Sequence, residues 1–199
     1  SDEVIENGSM SLQDYPFVDL ILGKEKQTKM GRGAMALEFK TFTPSMQQAL
    51  TDYCQKGGSL FISGAYVGSD LWDNPMANQT DKDFATEVLK YKWRAGQAAI
   101  EGKVKSVTSP YSVLGIQYTY YNELNAESYV VESPDAIEPA TNEAFTVLRY
   151  SENNLSAGIA YKGKYKTFVI GFPFESLRSE SERESLMKSV LDFFDSPTE

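Results

Sequence analysis

Histidine is absent from the chain, and that absence excludes more chemistry than any other feature of the composition. Without imidazole the chain alone cannot assemble a Ser-His or Cys-His nucleophilic pair, an HExxH zinc site or a histidine proton shuttle. Acid–base work is left to carboxylates, tyrosines and lysines. A single cysteine, Cys54, excludes an internal disulfide and leaves the compartment open. Positive charge is also in short supply: 28 acidic against 19 basic residues leave a net charge of −9. That balance argues against nucleic acid, whose phosphates need a basic footprint, and an anionic membrane surface would be repelled for the same reason. No apolar run approaches the length of a transmembrane helix. No cofactor motif or metal-ligand spacing is present, so neither is expected. A signal peptide is not seen either, but the start at Ser1-Asp2-Glu3 lacks a methionine and reads as a trimmed boundary.

The rest is ordinary globular material, 41% hydrophobic and 13% aromatic over 199 residues, enough for one domain with a sizeable core. Its organising stretch runs from Thr43 to Trp72. Thr43 suits an N-cap and Pro44 the first helical position. Met46, Ala49, Leu50, Tyr53 and Cys54 then recur on one helical stripe. Gly57-Gly58 stops the helix, and Leu60-Phe61-Ile62 reads as a strand buried on both faces. Its exit, Ser63-Gly64-Ala65-Tyr66-Val67-Gly68, lies where open α/β sheets place ligands.

In chain order, residues 1–14 read as a polar, poorly ordered lead-in, and 15–199 as a single domain. Phe17–Gly23 is predicted as a strand. Lys24–Arg32 follows as a basic loop, more readily a solvated loop than an anion site, and Gly31-Arg32-Gly33 is too short for a phosphate motif. Thr80 and Asp83 suggest a capped helix running through Trp93. Strands are expected over Ala99–Val107, Val113–Tyr121, Ser128–Val131, Ala144–Tyr150, Ala157–Tyr161 and Thr167–Gly171, the last three as an antiparallel meander. Tyr118, Tyr120 and Tyr121 read as packing before they read as a sugar platform. Ser179 and Glu182 cap a closing helix with Leu186, Met187, Val190, Leu191 and Phe194 inward. Phe17–Leu22, Ser59–Ile62 and Thr167–Gly171 are expected at the centre of one sheet, with helices 44–56 and 183–194 on its faces.

This order, with a late Gly171-Phe172-Pro173-Phe174-Glu175-Ser176, resembles the class I glutamine amidotransferase-like fold. The resemblance implies a three-layer, flavodoxin-like α/β sheet with helices on both faces and a meander near the C-terminus. A doubly wound sheet has an earlier strand–helix half, and the first good strand here begins only at Phe17, so the N-terminal part is expected to be missing or supplied by a neighbour. In active members a cysteine sits at the elbow and a histidine precedes the late glutamate. Here Ala65 and Pro173 stand at those places, so the catalytic pair is lacking. More closely, YCQKGGSLFISGAYVGSDLW, the VLRYS…AGIAYKGKYKTFVIGFPFESL run and MKSVLDFF resemble a domain of secreted bacterial proteins labelled xanthan lyases or golvesin-like proteins, over roughly residues 15–195. That implies an extracytoplasmic setting (periplasmic, cell-surface or secreted) and other domains of a larger chain as partners, with polysaccharide as a possible ligand.

Two functions are in contention. The first is a non-catalytic structural or glycan-binding module. The second is a polysaccharide hydrolase or lyase using Glu175 and Asp70, assisted by Tyr66 or Tyr118. A partner domain supplying the missing groups is a further possibility. The candidate pocket is lined by Ser63, Gly64, Ala65, Tyr66, Asp70, Trp72, Phe172, Pro173, Glu175 and Lys24. Glu175 is expected to accept hydrogen bonds from the Gly64–Tyr66 turn.

Overall fold

The computed structural model describes residues 2–6, 8–26, 28–30, 37–108 and 116–197. Gly31-Arg32-Gly33 and the start of the strand expected at Val113 lie outside them. The chain opens with α1 (Asp2–Glu6), which packs on α2, and a 3₁₀ turn at Leu12–Asp14 whose Leu12 is buried. The lead-in is therefore built into the fold. Next come β1 (Phe17–Gly23), β2 (Thr28–Met30), β3 (Leu37–Phe39), α2 (Pro44–Gln55) and β4 (Ser59–Gly64). In α2 the Thr43 side chain accepts from Met46 N at 3.2 Å, and Met46, Leu50, Tyr53 and Cys54 are buried. Gly57, with φ +94, breaks the helix.

Short α3 (Ser69–Trp72) and α4 (Gln79–Asp83) follow, and α4 runs on as a π-helical turn over Phe84–Leu89. The helix expected to reach Trp93 ends here, because Lys90 takes a left-handed conformation with φ 68. Trp93 instead sits in β5 (Tyr91–Ala95), which pairs antiparallel with β8 (Ala136–Pro139). Between them lie β6 (Lys103–Ser106) and β7 (Gln117–Thr119), both shorter than the spans expected. Ser128–Val131 forms no strand. The chain closes with β9 (Ala144–Tyr150), β10 (Ser156–Lys162), β11 (Lys166–Ile170) and α5 (Glu180–Asp195), which carries a Ser179–Glu182 capping box.

The main sheet has seven strands in the order β1-β4-β11-β10-β9-β6-β7. Only β1, β4 and β11 run parallel, and every other neighbouring pair is antiparallel. The flavodoxin-like three-layer expectation is therefore replaced by a mixed sheet. The reason is connection length: a parallel neighbour needs a crossover of a dozen or more residues. The links from β9 to β10 and from β10 to β11 are short turns that return the chain antiparallel and give the meander expected there, and β6 and β7 then extend the sheet antiparallel beyond β9.

The placement of β1 is a second correction. It is an edge strand, with Phe17 and Ile21 exposed. Its run is broken by Asp19 and alternates at period two, the pattern of a strand covered on one face only. The sheet separates two cores. Leu60, Ile62 and Val169 turn toward α2, whereas Phe61 and Phe168 turn toward Val190 and Phe193 of α5. Phe61, Phe168 and Phe193 meet edge-on at 5.8 and 6.0 Å. Burying each such side chain stabilises the fold by about 1.5–3 kcal/mol.

Candidate functional site

The site starts where β4 ends. Ala65 N donates to Gly23 O at 2.9 Å, so the exit of β4 is tied to the exit of β1. The chain then turns through Tyr66-Val67-Gly68 into α3. There it meets Asp135, which is fully buried just before β8. Asp135 Oδ2 accepts from Gly68 N and Ser69 N, both at 2.7 Å, and from Ser69 Oγ at 3.0 Å. Its Oδ1 accepts the indole N–H of Trp93 at 3.2 Å. Its backbone is held as firmly: Asp135 N donates to Gly171 O at 2.8 Å, and Tyr150 Oη donates to Asp135 O at 2.8 Å. Its side chain thus ties the start of α3 to β5, and its backbone ties both to the end of β11.

Above Asp135 opens a cleft of about 1060 Å³. Tyr66, Trp93 and Met76 give it apolar surface, and Asp73, Gln97 and Ser133 give it polar groups. Lys26 and Arg94 stand at its sides. The Lys26 ammonium lies 5.1 Å from the centre of the Tyr66 ring, and Arg94 Nε is 3.6 Å from Glu138. The rim beside Met76 is fixed by Asn74, whose amide donates to Asp70 O at 2.6 Å and accepts from Met76 N at 2.7 Å. Trp93 packs close against the chain at Gly68, where a Cβ would come within 2.5 Å of its ring. Pockets of this kind, with an apolar floor and a few placed polar groups, are the usual form of a small-ligand site.

Burial lifts the Asp135 carboxyl to about 7, against the pull of the donors from Ser69, Gly68 and Trp93. Burial also raises Asp70, which is opposed by the amide of Phe42 and the charge of Lys40. Asp70 points back toward Phe42 N, at 3.2 Å. Tyr91 is fully buried and its hydroxyl donates to Val67 O; burial, then the charges of Asp135 and Asp70, push it well above the usual tyrosine range.

Of the residues singled out from sequence, Tyr66 and Asp70 line this cleft. Ser63, Gly64 and Ala65 are buried at the end of β4. Trp72 packs inward, 6.2 Å from the Tyr91 ring. Phe172 is buried and stacked on Tyr120 at 5.4 Å, and Pro173 is buried beside it. Tyr118 belongs to the core under α5. Glu175 and Lys24 form a separate polar group at the end of β1. Glu175 accepts from the Tyr129 hydroxyl, whereas Lys24 donates to Val130 O at 2.8 Å and pairs with Glu132 at 2.6 Å. The amide of Ala65 is spent on Gly23 O, so the bond expected from the Gly64–Tyr66 turn to Glu175 is replaced by that from Tyr129. Asp19 lies near enough to Glu175 that burial, then that charge, raise its carboxyl to about 6.

Sequence reasoning did not find Trp93, Gln97, Ser133 or Asp135. Trp93 falls at the end of the helix expected from Thr80, and Asp135 carries no local motif. The readable signal was Tyr91-Lys92-Trp93-Arg94-Ala95, whose period-two alternation is that of a half-buried strand. Among the described residues no group of three or more His, Cys, Asp or Glu is placed to hold a metal ion, and no helix is long and apolar enough to cross a membrane.

No family model matches the chain, and no curated protein does. Solved structures do. A β-galactosidase from Bacillus circulans sp. alkalophilus is 11% identical with a TM-score of 0.56, over 95% of this chain and 24% of its own. A cold-adapted β-galactosidase from Rahnella sp. R3 is 12% identical with a TM-score of 0.53, over 94% of this chain and 24% of its own. The mmIFT52 N-terminal domain is 15% identical with a TM-score of 0.52, over 78% of this chain and 73% of its own. The chain thus spans about a quarter of each β-galactosidase and has the fold of that part.

Proposed function

We propose that the chain is a non-catalytic, glycan-binding module of a larger exported protein, and that the cleft between Tyr66 and Trp93 is its binding site. The observation that carries this reading is the fixed aromatic floor. Sugar rings present C–H faces that rest on aromatic rings, and a ring held by its own N–H bond is presented without an ordering cost. Polar groups surround it at Asp73, Gln97 and Ser133. The likeness to a quarter of two β-galactosidase chains supports a carbohydrate-related role, although a shared fold alone does not transfer function. The sequence resemblance to domains of secreted bacterial proteins supports the extracytoplasmic setting and the larger chain.

The carboxylate-pair enzyme has less support. Asp70 is buried against Phe42, whereas Glu175 is bonded to Tyr129 and does not line the cleft. A glycosidase needs its two carboxylates on either side of one scissile bond. Affinity electrophoresis in gels cast with soluble polysaccharides, beside a reducing-end assay on the same polymers, tests the proposal. Retardation without release of reducing ends is expected. Release of reducing ends that disappears in Glu175→Gln would sink it in favour of the enzyme.

A further inference from the structure

We infer that the cleft selects neutral, hydroxyl-rich glycans and rejects acidic ones. This rests on the glycan-binding reading above and concerns the charge of the ligand. Asp70, Asp73 and Asp135 line the cleft beside two cations, Lys26 and Arg94, but Asp70 turns back to Phe42 N and Asp135 is fully buried, so Asp73 is the carboxylate that a ligand meets. Both cations are already engaged: Lys26 lies over the Tyr66 ring at 5.1 Å, and Arg94 pairs with Glu138 at 3.6 Å. Asp73 stands exposed at the rim, with no cation paired to it among the described residues.

An ionised carboxylate accepts hydrogen bonds and donates none. The ligand group that faces Asp73 must therefore bring a donor, which a sugar hydroxyl supplies and a uronate or sulfate group does not. Two like charges about 4 Å apart repel by about 1 kcal/mol even at the dielectric of water, and by more in a partly closed cleft. The chain's net charge of −9 adds a long-range term of the same sign. Trp93 and Tyr66 attract the C–H face of a sugar whatever its charge, so they set affinity and Asp73 sets the choice between ligands.

The experiment compares galactomannan and xyloglucan, as neutral probes, with polygalacturonate and alginate, as acidic ones, by affinity electrophoresis at low salt. Wild-type protein, Tyr66→Ala and Asp73→Lys are run side by side. Asp73 is exposed, so its replacement leaves the fold intact, as melting of the variant would show. Wild type should be retarded by a neutral polymer and not by an acidic one. Tyr66→Ala should lose that retardation, and Asp73→Lys should gain affinity for the acidic polymers by about tenfold. Retardation of wild type by acidic polymers in preference to neutral ones overturns the inference and leaves the glycan-binding reading standing. Retardation by no polymer overturns both. An Asp73→Lys variant that keeps the wild-type preference shows that the rim charge does not select, and overturns the inference alone.

Discussion

The indole N–H of Trp93 and the Oδ1 of Asp135 meet at 3.2 Å, while the other oxygen of the same carboxylate holds the backbone amides of Gly68 and Ser69 at 2.7 Å. One buried side chain thereby joins β5 to the start of α3 and orients the ring on the cleft floor. The Asp135 backbone N–H adds the end of β11 by donating to Gly171 O at 2.8 Å, so the residue anchors both the fold and the site.

Asp135→Asn should expose that dependence. An asparagine can keep an oxygen toward Gly68 and Ser69, but its NH₂ then faces the Trp93 N–H, donor against donor. A loss of about 1–3 kcal/mol is expected from the orphaned donor. The pH dependence changes as well. Burial raises the wild-type carboxyl from 3.8 to about 7. The folded chain therefore holds a proton that the unfolded chain has released. The stability from that proton is complete below about pH 4 and is lost as pH rises through about 7. Asp19, raised to about 6, acts in the same direction in both proteins and cancels in their difference. Thermal melts from pH 5 to pH 8 should show wild type losing stability relative to Asp135→Asn. A gap that stays constant over that range contradicts the assignment.

Gly171→Ala should be among the most damaging small substitutions in the chain. A Cβ there would lie 2.0 Å from Asp135 O, a backbone atom with no rotamer to escape into. Overpacking of this kind is expected to cost at least about 3 kcal/mol. Gly96→Ala is the control, since its nearest neighbour would be an ordinary contact at 3.5 Å. Its effect should stay within about 0.5 kcal/mol. Chemical denaturation of both variants checks the contrast, and equal losses would show that the approach of β11 to Asp135 is softer than described.

Cys54 should be inert in the folded chain. It is fully buried on α2, and burial pushes its thiol up to about 12. Thiolate, the reactive form, is thus almost absent at neutral pH. Labelling by an aromatic disulfide reagent should be slow in buffer and should quicken only as denaturant unfolds the chain. Stoichiometric labelling of the native protein within seconds would contradict this.

How far the sequence revealed these features follows from how local each one is. The α2–β4 unit was legible because its cap, stripe and glycine stop lie within two dozen consecutive residues. The closing helix was legible for the same reason, through Ser179, Glu182 and the stripe from Leu186 to Phe194. The meander of β9, β10 and β11 was legible in its short turns, whereas the antiparallel placement of β6 against β9 was not, because it pairs strands distant in sequence. The edge position of β1 is masked by an apolar run in which Asp19 is the single polar residue marking the exposed face. The cleft was half legible. Tyr66 and Asp70 came from the exit of β4, where such sites are expected, whereas Trp93 and Asp135 are brought there by the β5–β8 pairing, which no local pattern announces.

The central claim is that a glycan rests on Trp93. The chain has two tryptophans, Trp72 and Trp93, and hence two indole N–H resonances in a nitrogen–proton correlation spectrum. Trp72 packs toward Tyr91, whereas Trp93 lines the cleft. Titration with a neutral oligosaccharide cut from whichever polymer retards the protein should therefore move the Trp93 indole signal progressively and leave that of Trp72 in place, with Trp72→Phe giving the assignment. Binding that leaves the Trp93 signal unmoved, or moves only that of Trp72, would contradict the account.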